Sequence, residues 1–243
     1  MGEAKCRLCL KESELRHSHV LPEFFYTGIY ESRDAHRALA ITDESVKIIQ
    51  KGLREDLLCQ DCETQFSRHE KYVAELIRDI PSFTRDASGR FLYSEHVDYS
   101  SVKLFQLSLI WRCSIARNPA FTQVCLGPHE EIIRCRLLEQ NPGKSFEYGC
   151  VMMAMLETEI LHKVMTSPTL IKPRPFGHKA YKLRTGNLTW VFFVDSHLIE
   201  KNVQELFAQE NGLLRIWLAK DEQKAILNIG KTMQRMESER PKH

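Results

Sequence analysis

The chain has 243 residues, of which 43% are hydrophobic and 27% charged, and its formal net charge is +2. This balance is typical of a globular protein and argues against disorder over most of the chain. No apolar run approaches the roughly 20 residues that a membrane-spanning helix needs. The charged start, MGEAKCRLCLKESE, lacks the apolar segment of a signal peptide, so the sequence predicts a cytoplasmic protein without a membrane partner.

The first third of the chain predicts a knuckle followed by one long helix. A C-x-x-C pair at Cys6 and Cys9 would form the knuckle, and a strand is predicted at residues 46–49. From residue 63 to about residue 80, apolar side chains recur at three- and four-residue spacing, which indicates an amphipathic helix. Pro81 ends this helix because proline has no amide hydrogen to donate.

The middle of the chain predicts a connector and two more helices. Residues 81–97 are rich in turn-forming residues and are interpreted as the connector. Asp98 is expected to cap a helix of about 20 residues. Apolar side chains surround the axis of this helix, so it is expected to be buried, with Arg112 as a surface partner. A third helix is predicted from Gly127-Pro128 to about residue 138.

The last hundred residues predict a hairpin, a further strand and a terminal helix. Residues 168–175 contain three prolines and are expected to lack regular structure. Residues 146–156 are compatible with either a strand or a buried helix. The predicted strands are residues 178–184, 188–195 and 213–219. The terminal helix is predicted at residues 221–236.

The chain contains eight cysteines, and four of them form two C-x-x-C pairs that are separated by 49 residues. In a chain without a secretory leader, such pairs indicate metal binding before disulfides. Four thiolates suit a closed, tetrahedral zinc site. The predicted zinc ligands are Cys6, Cys9, Cys59 and Cys62.

The remaining cysteines lack metal-ligand spacing and are expected to be buried apolar residues. They are Cys113, Cys125, Cys135 and Cys150.

A knuckle, a hairpin-forming segment and a helix whose first turn carries the second cysteine pair are the treble-clef arrangement. The predicted fold class is therefore α+β. An N-terminal treble-clef zinc module at residues 1–80 would be followed by a connector at residues 81–97. Helices and a small, mainly antiparallel sheet of no recognised family would occupy residues 98–243.

A further motif, His19-Val20-Leu21-Pro22, lies between the cysteine pairs, and Glu63 directly follows the second pair. With the cysteines, this pattern resembles the four-cysteine branch of the HNH (ββα-metal) endonucleases over about residues 1–80. The resemblance implies that the cysteines hold a structural zinc and that His19 is the general base. A neutral histidine can take the proton of an attacking water, and Mg²⁺ or Mn²⁺ can stabilise the leaving oxygen.

The chain departs from the family pattern at three places. Ser18 stands where the family has a metal-ligating Asp, Glu or His, and Arg54-Glu55-Asp56 stands where an Asn orients the base. Glu63 replaces the final His, and its carboxylate can bind a hard cation. The residues expected to hold the catalytic cation are therefore Glu63 together with Asp56 or His17.

Two functions remain open from the sequence. The first is an HNH-like metal-dependent endonuclease that acts on DNA or RNA, with zinc in a structural role. The second is a catalytically inactive zinc-binding module that binds nucleic acid or a partner protein in a larger assembly, including a second copy of the chain.

Charge is distributed unevenly along the chain, because residues 1–98 have a net charge of −4 and residues 99–243 of +6. No acidic residue lies between Glu159 and Asp195. Basic side chains interleaved with aromatic ones can contact phosphates and stack on bases, although a solvated hairpin face has the same composition. The predicted nucleic-acid contacts are Lys172, Arg174, Lys179, Lys182 and Arg184.

Overall fold

The computed structural model describes five parts of the chain: residues 4–27, 37–41, 46–50, 52–155 and 165–219. Within them the protein is a mixture of helices and strands. The helices are α1 (Gln60–Asp79), α2 (Tyr99–Ile115), α3 (His129–Leu138) and α4 (Lys201–Gln204). None of the helices in these parts is long and apolar enough to cross a membrane. The helix predicted at residues 221–236 lies outside the described residues.

The N-terminal part consists of short antiparallel strand pairs that lead into α1. Its strands are β1 (Ala4–Lys5), β2 (Glu12–Ser13), β3 (Leu15–His19), β4 (Arg37–Ile41), β5 (Val46–Gln50) and β6 (Arg54–Cys59). Strand β1 pairs with β2, β3 with β6, and β4 with β5. Helix α1 begins at the residue after β6, so a strand runs directly into a helix. The predicted strand at residues 46–49 and the predicted long helix are confirmed.

The second half of the described chain forms one sheet of mainly antiparallel strands. These strands are β7 (Thr84–Arg85), β8 (Phe91–Ser94), β9 (Cys150–Met155), β10 (Thr169–Leu170), β11 (Ala180–Thr185), β12 (Leu188–Phe193) and β13 (Leu214–Ala219). Their order across the sheet is β10-β11-β12-β9-β13-β8-β7. Strands β9 and β13 run parallel, and the other neighbours in this order are antiparallel.

The strands of this sheet can be compared with three expectations from the sequence. The predicted hairpin is confirmed as β11 and β12, and the undecided segment around residue 150 is the strand β9. Residues 81–97 contribute β7 and β8, and β8 pairs with β13. The expectation that residues 168–175 lack regular structure is wrong for β10, because its two residues lie between the prolines and pair with β11.

Helix α2 lies at the centre of the molecule. The Asp98 side chain caps it by accepting hydrogen bonds from the amides of Ser100 and Ser101, as predicted. Side chains all around its axis are buried, so the expected burial of this helix is confirmed. The expectation that Arg112 is a surface partner is wrong, because its side chain is only 1% exposed.

The N-terminal part shares its core with the sheet across α2. Phe105 of α2 packs against Trp190 of β12, with ring centroids 5.8 Å apart, and Phe25 of the N-terminal part lies 5.9 Å from the same ring. Phe66 of α1 meets the Trp111 ring edge-on at 6.3 Å. One continuous cluster of buried side chains therefore joins the cysteine region to the sheet.

Lys103 is a buried cation on α2. Its ammonium group donates hydrogen bonds to the carbonyl oxygens of Ser145, Glu147 and Tyr148, so it fastens the chain ahead of β9 to the helix. Burial lowers the pKa of Lys103 from 10.5 to about 7.

This lowered pKa makes stability depend on pH. Between about pH 7 and 10.5 the unfolded chain binds a proton that folded Lys103 does not hold, so the stability contributed by this group increases as pH rises. Methionine does not titrate. We expect the difference in free energy of unfolding between wild type and Lys103→Met to shift in favour of wild type by up to about 2 kcal/mol from pH 7 to pH 9. Urea unfolding at both pH values measures it, and a difference that is constant with pH would contradict it.

Candidate metal centre and the adjoining strand pair

The four predicted zinc ligands come together in space. Cys6 and Cys9 lie in the turn between β1 and β2, Cys59 is the N-cap residue of α1, and Cys62 lies in its first turn. Their sulfur atoms all lie within 4.8 Å of one another. The Sγ atoms of Cys9 and Cys59 are 3.8 Å apart, which is about the separation of two sulfurs bound at 2.3 Å to one tetrahedral zinc ion. The group could therefore hold a metal ion such as zinc.

Backbone hydrogen bonds position the first cysteine pair. The Leu10 amide donates to the Cys6 carbonyl and closes the turn, and the Arg7 amide donates to the Leu57 carbonyl and ties the turn to β6. The Cys59 amide donates to Cys6 Sγ over 3.3 Å. Such a bond would stabilise the negative charge of a metal-bound thiolate, and so would the positive N-terminal end of α1, where the second pair lies.

The electrostatics of the cluster also favour a cation. Burial raises the pKa of the Cys62 thiol well above its usual range, and the neighbouring sulfurs of Cys59, Cys6 and Cys9 raise it further. The Cys62 thiol resists ionisation because burial and the neighbouring sulfurs disfavour its negative charge. A bound divalent cation reverses this preference, since coordination deprotonates a thiol outright.

The other cysteines differ in their environments. Cys113 and Cys150 are buried, as expected, and Cys135 is half-buried. The expectation is wrong for Cys125, which is exposed. Cys125 lies in the loop between α2 and α3, where its backbone rather than its thiol is used: its carbonyl accepts a hydrogen bond from the Tyr181 hydroxyl at 2.6 Å.

The candidate catalytic residues lie on the β3–β6 strand pair. In its register His17 faces Asp56, Ser18 faces Glu55, and His19 faces Arg54, with an irregularity between Arg16 and His17. Because successive side chains of a strand point to opposite faces, the two histidines share one face of the pair and Ser18 points to the other.

The face with the two histidines carries two side-chain contacts. His17 Nδ1 lies 3.0 Å from Asp56 Oδ1, and both side chains are well exposed, at 65% and 70%. Arg54 Nε donates to His19 Nε2 at 2.9 Å. A neutral imidazole that accepts at Nε2 carries its proton on Nδ1. The Nε2 lone pair of His19 is therefore directed at Arg54, whereas His17 contacts Asp56 through Nδ1.

The opposite face of the strand pair meets α1. Buried Ser18 donates its hydroxyl hydrogen to Glu63 Oε2 at 2.8 Å. The Glu55 carboxylate accepts hydrogen bonds from the backbone amides of Arg117 and Asn118, just beyond the end of α2. Glu63 therefore contacts the residue next to His19 but lies on the opposite face of the strand pair from the His19 side chain.

Arg112 connects this strand pair to the centre of the molecule. Its Nη1 donates to the His19 carbonyl at 3.0 Å, and its Nη2 lies 2.7 Å from Glu70 Oε1 on α1. The guanidinium also lies over the Phe66 ring, 5.5 Å from its centroid. The backbone of His19 is thus held by a buried cation that α2 supplies.

Comparisons with known protein families, with curated proteins and with solved structures give no match.

The predicted nucleic-acid contacts do not share one environment. Lys172 and Arg174 are exposed. Lys179 donates to the Cys125 carbonyl, Lys182 is half-buried, and the buried Arg184 donates to the Gly186 carbonyl. The exposed positive charge of the predicted set is therefore concentrated ahead of β11.

Sequence reasoning missed the partners of His19. In the sequence Arg54 is only a departure from a family pattern, and its position opposite His19 depends on the strand register that the structure shows. Arg112 had a usable signal: a charged residue inside a helix that is apolar on all sides requires a buried partner.

Proposed function

We propose that the protein is an HNH-like, metal-dependent endonuclease whose N-terminal module is a treble clef with a structural zinc. The observation that carries this proposal is the order of knuckle, strand pair and helix around the four-cysteine cluster. This order puts His19 at the end of β3, and Ser18 beside it in contact with Glu63 in the first turn of α1. DNA and RNA are both substrates to be tested.

The residues of the strand pair could divide the chemistry between them. An imidazole of His19 or His17 can take the proton of the attacking water, and the Arg54 guanidinium can bind a phosphate oxygen. Drawing Arg54 onto the phosphate would break its hydrogen bond to Nε2 of His19. The Glu63 carboxylate offers a hard oxygen ligand for Mg²⁺ or Mn²⁺, which would stabilise charge on the leaving oxygen. Glu63 and the imidazole of His19 would then act from opposite faces of the end of β3.

The proposal predicts cleavage that depends on His19. Purified protein is expected to nick plasmid DNA or cleave RNA with Mg²⁺ or Mn²⁺, and His19→Ala is expected to lower the rate by about 10²–10⁴-fold, since general-base catalysis contributes that much. Zinc content should stay unchanged. His17→Ala, assayed in parallel, tests the neighbouring imidazole.

The control for these variants is His197→Ala, because His197 is 87% exposed and lies far along the chain, after β12. Its cleavage rate should equal that of wild type. Cleavage that is unchanged in His19→Ala would contradict the base assignment, and no cleavage by wild type under these conditions would contradict the endonuclease proposal.

A second candidate function is a catalytically inactive zinc module that binds nucleic acid or a protein partner. Two hydrogen bonds favour this function: Arg54 donates to His19, and Ser18 donates to Glu63. Both candidate catalytic groups, the His19 imidazole and the Glu63 carboxylate, therefore already bind protein side chains. Under this function wild type would bind nucleic acid without cleaving it. Replacing Lys172 and Arg174 together by glutamate would then weaken binding and lower its salt dependence.

A further inference from the structure

One side chain of the C-terminal part of the chain forms a hydrogen bond beside the four-cysteine cluster. Arg134 on α3 donates a hydrogen bond from Nη1 to the carbonyl oxygen of Leu8. Leu8 lies between Cys6 and Cys9 and is fully buried. Helix α3 therefore holds the knuckle at its centre, from a position more than a hundred residues away in sequence.

An ion pair with Glu131 fixes the geometry of Arg134. Its Nε and Nη2 each lie 2.7 Å from one carboxylate oxygen of Glu131, one turn earlier on the same helix. The Arg134 side chain is only 12% exposed. A two-pronged ion pair of this kind orients the planar guanidinium, so its third nitrogen is held towards the knuckle.

The positive charge of Arg134 is opposite to the charge of the cysteine cluster with a metal bound. A divalent ion with four thiolates has a net charge of −2, and a partly buried negative centre is stabilised by a nearby cation. Hydrogen bonding to Glu131 raises the pKa of Arg134, so the guanidinium keeps its positive charge.

We propose that Arg134 is a positioning residue of the metal centre. It holds the Leu8 carbonyl so that Cys6 and Cys9 present their sulfurs to the metal, and its charge offsets that of the four thiolates. The inference rests on the zinc site of the proposed function, but not on nuclease activity.

The test compares zinc affinity among variants of the full chain. Zinc dissociation constants are measured by competition with a chromophoric chelator for wild type, Arg134→Met, Arg134→Lys and Arg136→Met. Arg136 is the matched control because it lies on the same helix and also forms a two-pronged ion pair, with Glu147, at 2.7 and 3.1 Å. We expect Arg134→Met to weaken zinc binding about tenfold or more, since partners of metal ligands typically contribute that much. Arg136→Met should match wild type.

Arg134→Lys keeps the positive charge but loses the two-pronged ion pair with Glu131, referred to below as the fork. Its zinc affinity should therefore fall between those of wild type and Arg134→Met. If Arg134→Met fails to fold, the lysine variant and Glu131→Gln, which releases the fork, carry the test. Unchanged affinity in the Arg134 variants would overturn the proposed role, and so would equal weakening by Arg136→Met. Absence of zinc from wild type would overturn the metal site itself, and with it this role.

Discussion

Replacing Cys59 with serine is expected to abolish zinc binding and to unfold the N-terminal part of the chain. Cys59 is both a predicted ligand and the N-cap residue of α1, and its amide donates to Cys6 Sγ. A structural zinc contributes about 10 kcal/mol or more of apparent binding free energy, which in small metal-binding modules is folding free energy. No other effect predicted for this chain is as large.

Metal analysis and circular dichroism measure this outcome. Wild type should contain about one zinc per chain, and the Cys59→Ser protein should contain none and lose secondary structure. Cys125→Ser is the matched control, because Cys125 is exposed and lies outside the cluster. A Cys59→Ser protein that is folded and stable without zinc would refute the structural role of the metal.

Replacing Arg112 with methionine is expected to lower the free energy of unfolding by about 3–5 kcal/mol, because breaking a buried ion pair leaves its partner uncompensated. The partners are Glu70 and the carbonyl oxygen of His19. Methionine fills much of the volume of the arginine stem, so the loss reports mainly on the polar contacts. Urea unfolding of the zinc-loaded protein measures it.

Two further variants separate the buried pair from general effects of losing an arginine. Arg78→Met removes an exposed arginine from α1 and should change stability by less than about 0.5 kcal/mol. Adding Glu70→Gln to Arg112→Met should recover part of the loss, because it removes the unpaired charge. An Arg112→Met protein as stable as Arg78→Met would show that the ion pair contributes nothing.

Local patterns in the sequence were sufficient for the helices and for the metal cluster. The apolar spacing after Cys62, the capping Asp98 and the breaking Pro81 each act within a few residues, and the elements they predict are present. The C-x-x-C spacing is local as well. Two such pairs with their sulfurs within 4.8 Å confirm that the four residues form one group.

The partners of the candidate catalytic residues could not be predicted in this way, because they are set by tertiary packing. The bond from Arg54 to His19 depends on the register of two strands that are 35 residues apart in sequence, and that from Arg112 to His19 spans 93 residues. Strand β8, in a turn-rich segment, could not be predicted from the sequence for a similar reason. It is short, and its pairing partner is β13, near the far end of the described chain.

The place of β13 in the sheet has a consequence for biosynthesis. Among the strands of this sheet in the described residues it is the last to leave the ribosome, yet it lies between β9 and β8. Until it emerges, both neighbours expose unpaired backbone edges, which are templates for misassembly with other chains. The nascent polypeptide therefore completes this sheet only after β13 has emerged, and chaperone protection of those two edges would matter most before that point.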